Sequence, residues 1–175
     1  MTDPQRRAAV VTVGAVLLTA AAGCASNPPA PRAAGTTPST ATTPSAAATQ
    51  NAAAKYMAIA RPANCKLDHE FDALKDHEKD NLAAARADLR AAAATERQFD
   101  RQLMAISFPP QTEPIVGLLY RVNEARAALT STAAGATSLR QLRGYARRRD
   151  AANEPVEDAV RIIRGQLGLP PPDTS

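Results

Sequence analysis

The chain is predicted to be all-α: an antiparallel up-down bundle of four helices, or three long ones with a kink, after a signal peptide and a disordered linker. Three observations predict this. Leu82, Ala85, Leu89, Ala92, Glu96, Phe99, Leu103 and Ile106 recur at alternating steps of 3 and 4 residues, the spacing of a bundle seam. Val, Ile, Thr and aromatic residues never alternate at period two for long, so no strand is expected. Aromatics are scarce, with three Tyr, three Phe and no Trp, so a core must be built from Leu, Ile, Val and many Ala. Small alanine faces let helices approach closely, and short connections force neighbouring helices to run antiparallel.

The first element, residues 1–23, reads as a signal peptide. Arg6 and Arg7 form a short positive n-region, and Ala8 to Ala22 carries no charge. That apolar stretch matches an h-region of about 7–15 residues. It falls short of the ~20 residues that span a bilayer. Ala21, Ala22 and Gly23 then lead directly into Cys24. This arrangement resembles the lipobox of bacterial lipoproteins. The resemblance implies cleavage between Gly23 and Cys24, attachment of a diacylglycerol to the Cys24 thiol, and a mature chain that begins at that cysteine. Ala21 departs from the pattern, which more often has Leu there. Arg6-Arg7 is a weak twin-arginine signal, because Ala8-Ala9-Val10 lacks the bulky residue that follows the pair. Two acyl chains give stable membrane attachment where one gives marginal attachment. The expected location is therefore the extracytoplasmic face of the cell membrane, with the protein anchored through lipid on Cys24.

The second element, residues 24–50, is Cys24 followed by a stretch dominated by Ala, Thr, Ser and Pro. Pro28, Pro29, Pro31, Pro38 and Pro44 interrupt any helix, and no large apolar residue occurs. Such a segment cannot bury enough surface to offset its chain entropy, so a disordered tether is expected. As a flexible coil it would span roughly 28 Å. Its Thr-Pro pairs are candidate acceptors of O-linked sugars, a bare spacer being the simpler reading.

The third element, residues 51–169, is the bundle. Helix one runs to about His77 on the stripe Tyr56, Ala60, Ala63, Leu67, Phe71 and Leu74, with a kink or break expected near Arg61 because of Pro62. Helix two carries the seam above and stops at Ser107-Phe108-Pro109-Pro110. Thr112 is a candidate cap for helix three, with Pro114 tolerated in its first turn. The stripe of helix three is Ile115, Leu119, Val122, Ala125 and Leu129, and Ala133-Ala134-Gly135 closes it. Helix four starts at Thr137 or Ser138 and places Leu139, Leu142, Ala146, Val156, Val160, Ile163 and Leu167 on one seam. Pro155 is the candidate break, with Asn153 capping the second half. Gly168 and the following prolines stop this helix, and residues 170–175 are expected to be a disordered tail.

Glu96 is the chemical oddity, a carboxylate at a seam position. A buried carboxylate is costly unless paired. Arg126, Arg149 and Asn153 fall at comparable heights in the bundle, at ~1.5 Å of rise per residue. A structural ion pair or register lock is the expected role. The alternative is a polar interior site at Glu96, Arg126, Arg149 and Asn153 for a small or lipidic ligand. Cys65, His69, Asp72 and Asp76 lie along one helix line, which resembles a soft-metal ladder. That line points away from the apolar stripe, so Cys65 and His69 are weak metal candidates and no metal site is expected. If Cys24 carries lipid, Cys65 has no partner in its own chain, because the sequence holds only two cysteines.

Arg140, Arg143, Arg147, Arg148 and Arg149 form the strongest charge cluster. It suits anionic lipid heads or acidic wall polymers, against the plainer reading of a solvated face. Without stacking aromatics beside the arginines, nucleic acid is not expected. No Ser/His/Asp set, Gly-rich phosphate loop, close carboxylate pair or Glu-x-x-His motif stands out, so neither an enzyme nor a cofactor is expected.

Three segments extend the resemblance beyond the lipobox: Tyr56-Met57-Ala58-Ile59-Ala60-Arg61-Pro62-Ala63-Asn64, Phe108-Pro109-Pro110 and Leu167-Gly168-Leu169-Pro170-Pro171-Pro172. They resemble the uncharacterised small lipoproteins of high-GC Gram-positive bacteria, which implies a class and a place. The expected function is that of a non-enzymatic surface module binding an envelope protein or anionic polymer. The alternatives are a ligand-binding bundle around Glu96 and a weak metal binder through Cys65 and His69.

Overall fold

The computed structural model describes residues 45–172. The signal peptide, the Gly23-Cys24 junction, lipidation of Cys24, the tether up to Pro44 and the last three residues lie outside the described residues. Those described form five helical pieces: α1 (Ala46–His77), α2 (Leu82–Leu103), α3 (Glu113–Ala133), α4 (Leu139–Arg143) and α5 (Ala146–Gln166). They make an antiparallel four-helix bundle whose fourth member is bent into α4 and α5. Consecutive helices are neighbours, α1 on α2, α2 on α3 and α3 on α5. None of the described helices is long and apolar enough to cross a membrane.

The expected helix one is longer than its sequence stripe. α1 begins at Ala46, inside the stretch expected to be tether, because Ala46-Ala47-Ala48 is strong helix-forming sequence free of proline. Its 32 residues would run about 48 Å. Pro62 does not break it, and Pro155 does not break α5. Both prolines are exposed, as are Ala58 and Ala151, whose carbonyls each proline leaves without a helical donor. Water can satisfy a carbonyl on that side, which is why the helices continue.

The fourth helix bends at Gly144-Tyr145 instead of at Pro155. The turn there is tight, and a Cβ on Gly144 would lie 3.1 Å from the Gln141 carbonyl oxygen. Asn153 accordingly sits inside α5 and caps nothing. Two other caps are made by side chains: Asn81 accepts from the Ala84 amide at 3.0 Å, and Ser138 accepts from the Gln141 amide at 3.2 Å. Thr112 precedes α3 but makes no side-chain cap bond, and its hydroxyl is buried without a partner.

The end of α5 closes in a Schellman turn. Gly168 adopts φ 67°, the Leu169 amide donates to the Arg164 carbonyl at 2.8 Å, and the Gly168 amide donates to the Gly165 carbonyl at 3.1 Å. Arg164 then donates from Nε to the Pro170 carbonyl at 2.6 Å and from Nη2 to the Pro171 carbonyl at 3.3 Å. The start of the expected tail is thereby held to the bundle. Gly168→Ala is expected to destabilise by about 1–2 kcal/mol, because no atom lies within 4 Å of the added methyl and the whole effect is backbone strain. Gly165→Ala, in open space within the helix, is expected to stabilise by about 0.5–1 kcal/mol. Urea denaturation of the two variants side by side checks the opposite signs.

Apolar packing falls into two clusters. One gathers Tyr56, Leu103, Val116, Leu119, Val156, Ile163 and their neighbours at the end where α1 begins. Tyr56 is enclosed there, with the Phe99 ring edge-on at 6.4 Å. The other gathers Leu74, Ala85, Leu89, Ala133 and Leu142 at the opposite end. The stripes expected for helices one, two and four match the buried sides of α1, α2 and α4–α5. That of helix three is shifted. Val116, Leu119, Asn123, Ala127, Thr130 and Ala133 are the buried residues, while Ala125 is exposed and Val122 half-buried. α3 packs against both α2 and α5, so its buried side is wide and accepts small and polar residues.

Candidate functional site

Between the two apolar clusters lies a layer of polar side chains at the middle of the bundle. α2 contributes Glu96 and Asp100, α3 contributes Asn123 and Arg126, and α5 contributes Asn153. Glu96 is 0% exposed, Asn123 1% and Asp100 2%. The helical repeat makes this layer: Glu96 and Asp100 are one turn apart on α2, and Asn123 and Arg126 are one turn apart on α3.

Arg126 is the hub. Its Nε lies 2.9 Å from Glu96 Oε1. Its Nη2 donates to Asn123 Oδ1 at 2.8 Å, and its Nη1 donates to Asn153 Oδ1 at 3.4 Å. Asn123 Nδ2 donates in turn to Asp100 Oδ1 at 2.8 Å and to the Glu96 backbone carbonyl at 3.3 Å. The Glu96–Arg126 contact has the distance of an ion pair but not the angles of a hydrogen bond. Neither of its two atoms is hydrogen-bonded, and Glu96 Oε2 and Asp100 Oδ2 are also enclosed without partners.

This arrangement disfavours negative charge. Burial pushes the Glu96 carboxyl up to about 7; Arg126 pulls against this, and Asp100 adds to it. Burial likewise raises Asp100 to about 6, with the Asn123 hydrogen bond opposing.

Three of the four residues expected near Glu96 are joined in one network: Glu96 itself, Arg126 and Asn153. Arg149 is close by but separately paired, with Nη2 3.7 Å from Glu78 Oε2. Arg126, Arg149 and Asn153 line one cleft of about 410 Å3, and Phe71 and Leu74 of α1 supply its apolar wall. Asp100, Asn123, Glu78, Phe71 and Leu74 complete the site; Phe71 and Leu74 were expected only as stripe residues, and Asp100, Asn123 and Glu78 were not expected there. Helical spacing could have found two of them, since Asp100 follows Glu96 by four residues and Asn123 follows Leu119 by four. Nothing in the spacing pointed to Glu78, which follows the end of α1.

Cys65 and His69 are both exposed. Asp72 and Asp76, on the same line, are engaged by Lys75 at 2.9 Å and by Lys79 at 2.8 Å. His77 Nδ1 lies 2.7 Å from Asp88 Oδ2 on α2. Among the described residues no three His, Cys, Asp or Glu side chains are grouped to hold a metal ion.

Arg140, Arg143, Arg147 and Arg148 are exposed where α4 meets α5. None of the four is ion-paired to a described residue. Arg148 stacks 4.5 Å over the Tyr145 ring. Arg147 and Arg148 sit in the first turn of α5, where the helix dipole opposes positive charge.

Set against protein-family models, curated proteins and solved structures, the chain matches none of them.

Proposed function

We propose that the protein is an extracytoplasmic lipoprotein, held at the cell membrane by lipid on Cys24, whose bundle is a non-enzymatic module binding an envelope protein or anionic envelope polymer. The observation that carries this reading is the uncharged stretch Ala8 to Ala22 running into Ala21-Ala22-Gly23-Cys24. Arg140, Arg143, Arg147 and Arg148, none ion-paired to a described residue, support an anionic partner, and Arg147 and Arg148 stand in the first turn of α5, where the helix dipole disfavours them and an anion would relieve that conflict. Fractionation tests the anchor. Cys24→Ala is expected to move the protein from the membrane to the soluble fraction, or to leave an uncut precursor. Normal cleavage with full membrane retention refutes the lipoprotein reading.

A second reading is favoured by the cleft beside Glu96: a bundle that takes up a small ligand at its polar layer. Glu96 is enclosed and faces Arg126, so the ligand would meet the network through Arg126, Asn153 and Arg149 rather than through Glu96.

A further inference from the structure

We infer that the cleft between α1, α3 and the start of α5 binds a small carboxylic acid anion with an apolar body, its carboxylate held by Arg149 beside Arg126. This rests on the small-ligand reading above and names the chemistry of that ligand. Four observations carry it. The cleft holds about 410 Å3, within the ~300–1,000 Å3 typical of ligand sites.

The Arg149 side chain is only 14% exposed, yet its Nε is enclosed without a hydrogen-bond partner. Its nearest carboxylate oxygen, on Glu78, is 3.7 Å away, beyond the ~2.7–3.2 Å of a hydrogen bond. A guanidinium is a planar fork of donors that matches a carboxylate with two parallel bonds. Nε is enclosed, so the donors that Arg149 offers to the cleft are its terminal amino groups, whose ion-pair contact among the described residues is the loose one to Glu78.

The ion pairs around the cleft single out Arg149. Of the cations lining the cleft, Lys75 is engaged by Asp72 at 2.9 Å and Arg126 by Glu96 at 2.9 Å, so Arg149, 3.7 Å from Glu78, is the most loosely paired. Phe71 and Leu74 then offer the ligand's body an apolar surface within the same cleft.

Calorimetric titration of the mature chain from residue 24 onward carrying Cys24→Ser, which keeps lipid and detergent out of the experiment, tests the assignment. The probes are octanoate, octanol and octylammonium, equal in chain length and different in charge. Octanoate is expected to bind one per chain, about tenfold or more tighter than the other two, as loss of a charged hydrogen-bond pair predicts. Arg149→Gln is expected to remove that preference. Ala146→Leu, which fills the cleft and leaves both arginines in place, is expected to abolish binding. Glu78→Gln is expected to tighten octanoate by removing the competing carboxylate, and weaker binding by that variant would overturn the assignment. Circular dichroism of each variant confirms that it is folded. Octanol bound as tightly as octanoate, with no effect of Arg149→Gln, overturns the carboxylate assignment and leaves the small-ligand reading standing. Failure of all three probes to bind at millimolar concentration overturns both.

Discussion

The bundle is expected to lose stability as pH rises from about 4 to about 7. Most soluble domains hold their carboxylates in favourable surroundings, and raising the pH through this range leaves them little changed or firmer. Here the layer is built the other way. Glu96 titrates at about 7 in the folded chain against an ordinary 4.5. Between those two values the folded state holds a proton that the unfolded chain has released. Raising the pH therefore favours unfolding, and the contribution is fully lost above the folded value. Holding one extra proton is worth about 1.4 kcal/mol for each pH step between the two values, so Glu96 accounts for about 3 kcal/mol. Asp100 acts in the same direction between its ordinary 3.8 and about 6. Besides Arg126 and Asp100, the charges that bear on Glu96 are Arg97, which favours its ionised form, and Glu70, which disfavours it. Urea titrations across this range check the slope. In Glu96→Gln the slope above pH 6 is expected to flatten, and the variant is expected to match or exceed the native chain at the alkaline end. An unchanged slope in that variant would show that Glu96 is not the group responsible.

Arg126→Met is expected to destabilise by about 3–5 kcal/mol at pH 8, the size found when one partner of a buried ion pair is removed. Three losses combine. Glu96 loses the charge 2.9 Å away, and Asn123 Oδ1 and Asn153 Oδ1 lose their donor. The methionine side chain roughly fills the space of the arginine stem, so the effect reports on charge and hydrogen bonding more than on a cavity. At pH 5 the effect is expected to shrink, because a protonated Glu96 has less need of the guanidinium. A pH-independent loss in thermal denaturation would assign the role of Arg126 to packing alone. The double variant Glu96→Gln with Arg126→Met is expected to recover part of the loss, which measures the coupling directly.

Much of the bundle was legible because its determinants are local. The seam of α2 from Leu82 to Leu103 needed only its spacing, and Glu96 stood out because one carboxylate interrupted an apolar repeat. The end of α5 at Gly168 was equally plain, since glycine tolerates positive φ and proline follows. Pro62 and Pro155 misled for a tertiary reason. Proline breaks a helix when its orphaned carbonyl has no partner, and which side of the helix faces water is decided by the neighbouring helices. The shifted stripe of α3 has the same origin, because a helix packed on two sides buries Asn123 and Thr130 where one packed on a single side would expose them.

The sequence alone determined the all-helical class, the order of the helices and the candidacy of Glu96 and Arg126, since helical periodicity and chain connectivity are properties of the linear chain. Only the tertiary structure decided which arginine meets Glu96. Arg126 and Arg149 stand at similar heights, and a rise per residue cannot distinguish them. The packing of α3 between α2 and α5 brings Arg126 to the carboxylate and leaves Arg149 with Glu78, on the wall of an open cleft. Side-chain pairing across helices depends on their rotation about their own axes, and that rotation is set by how all four pack together.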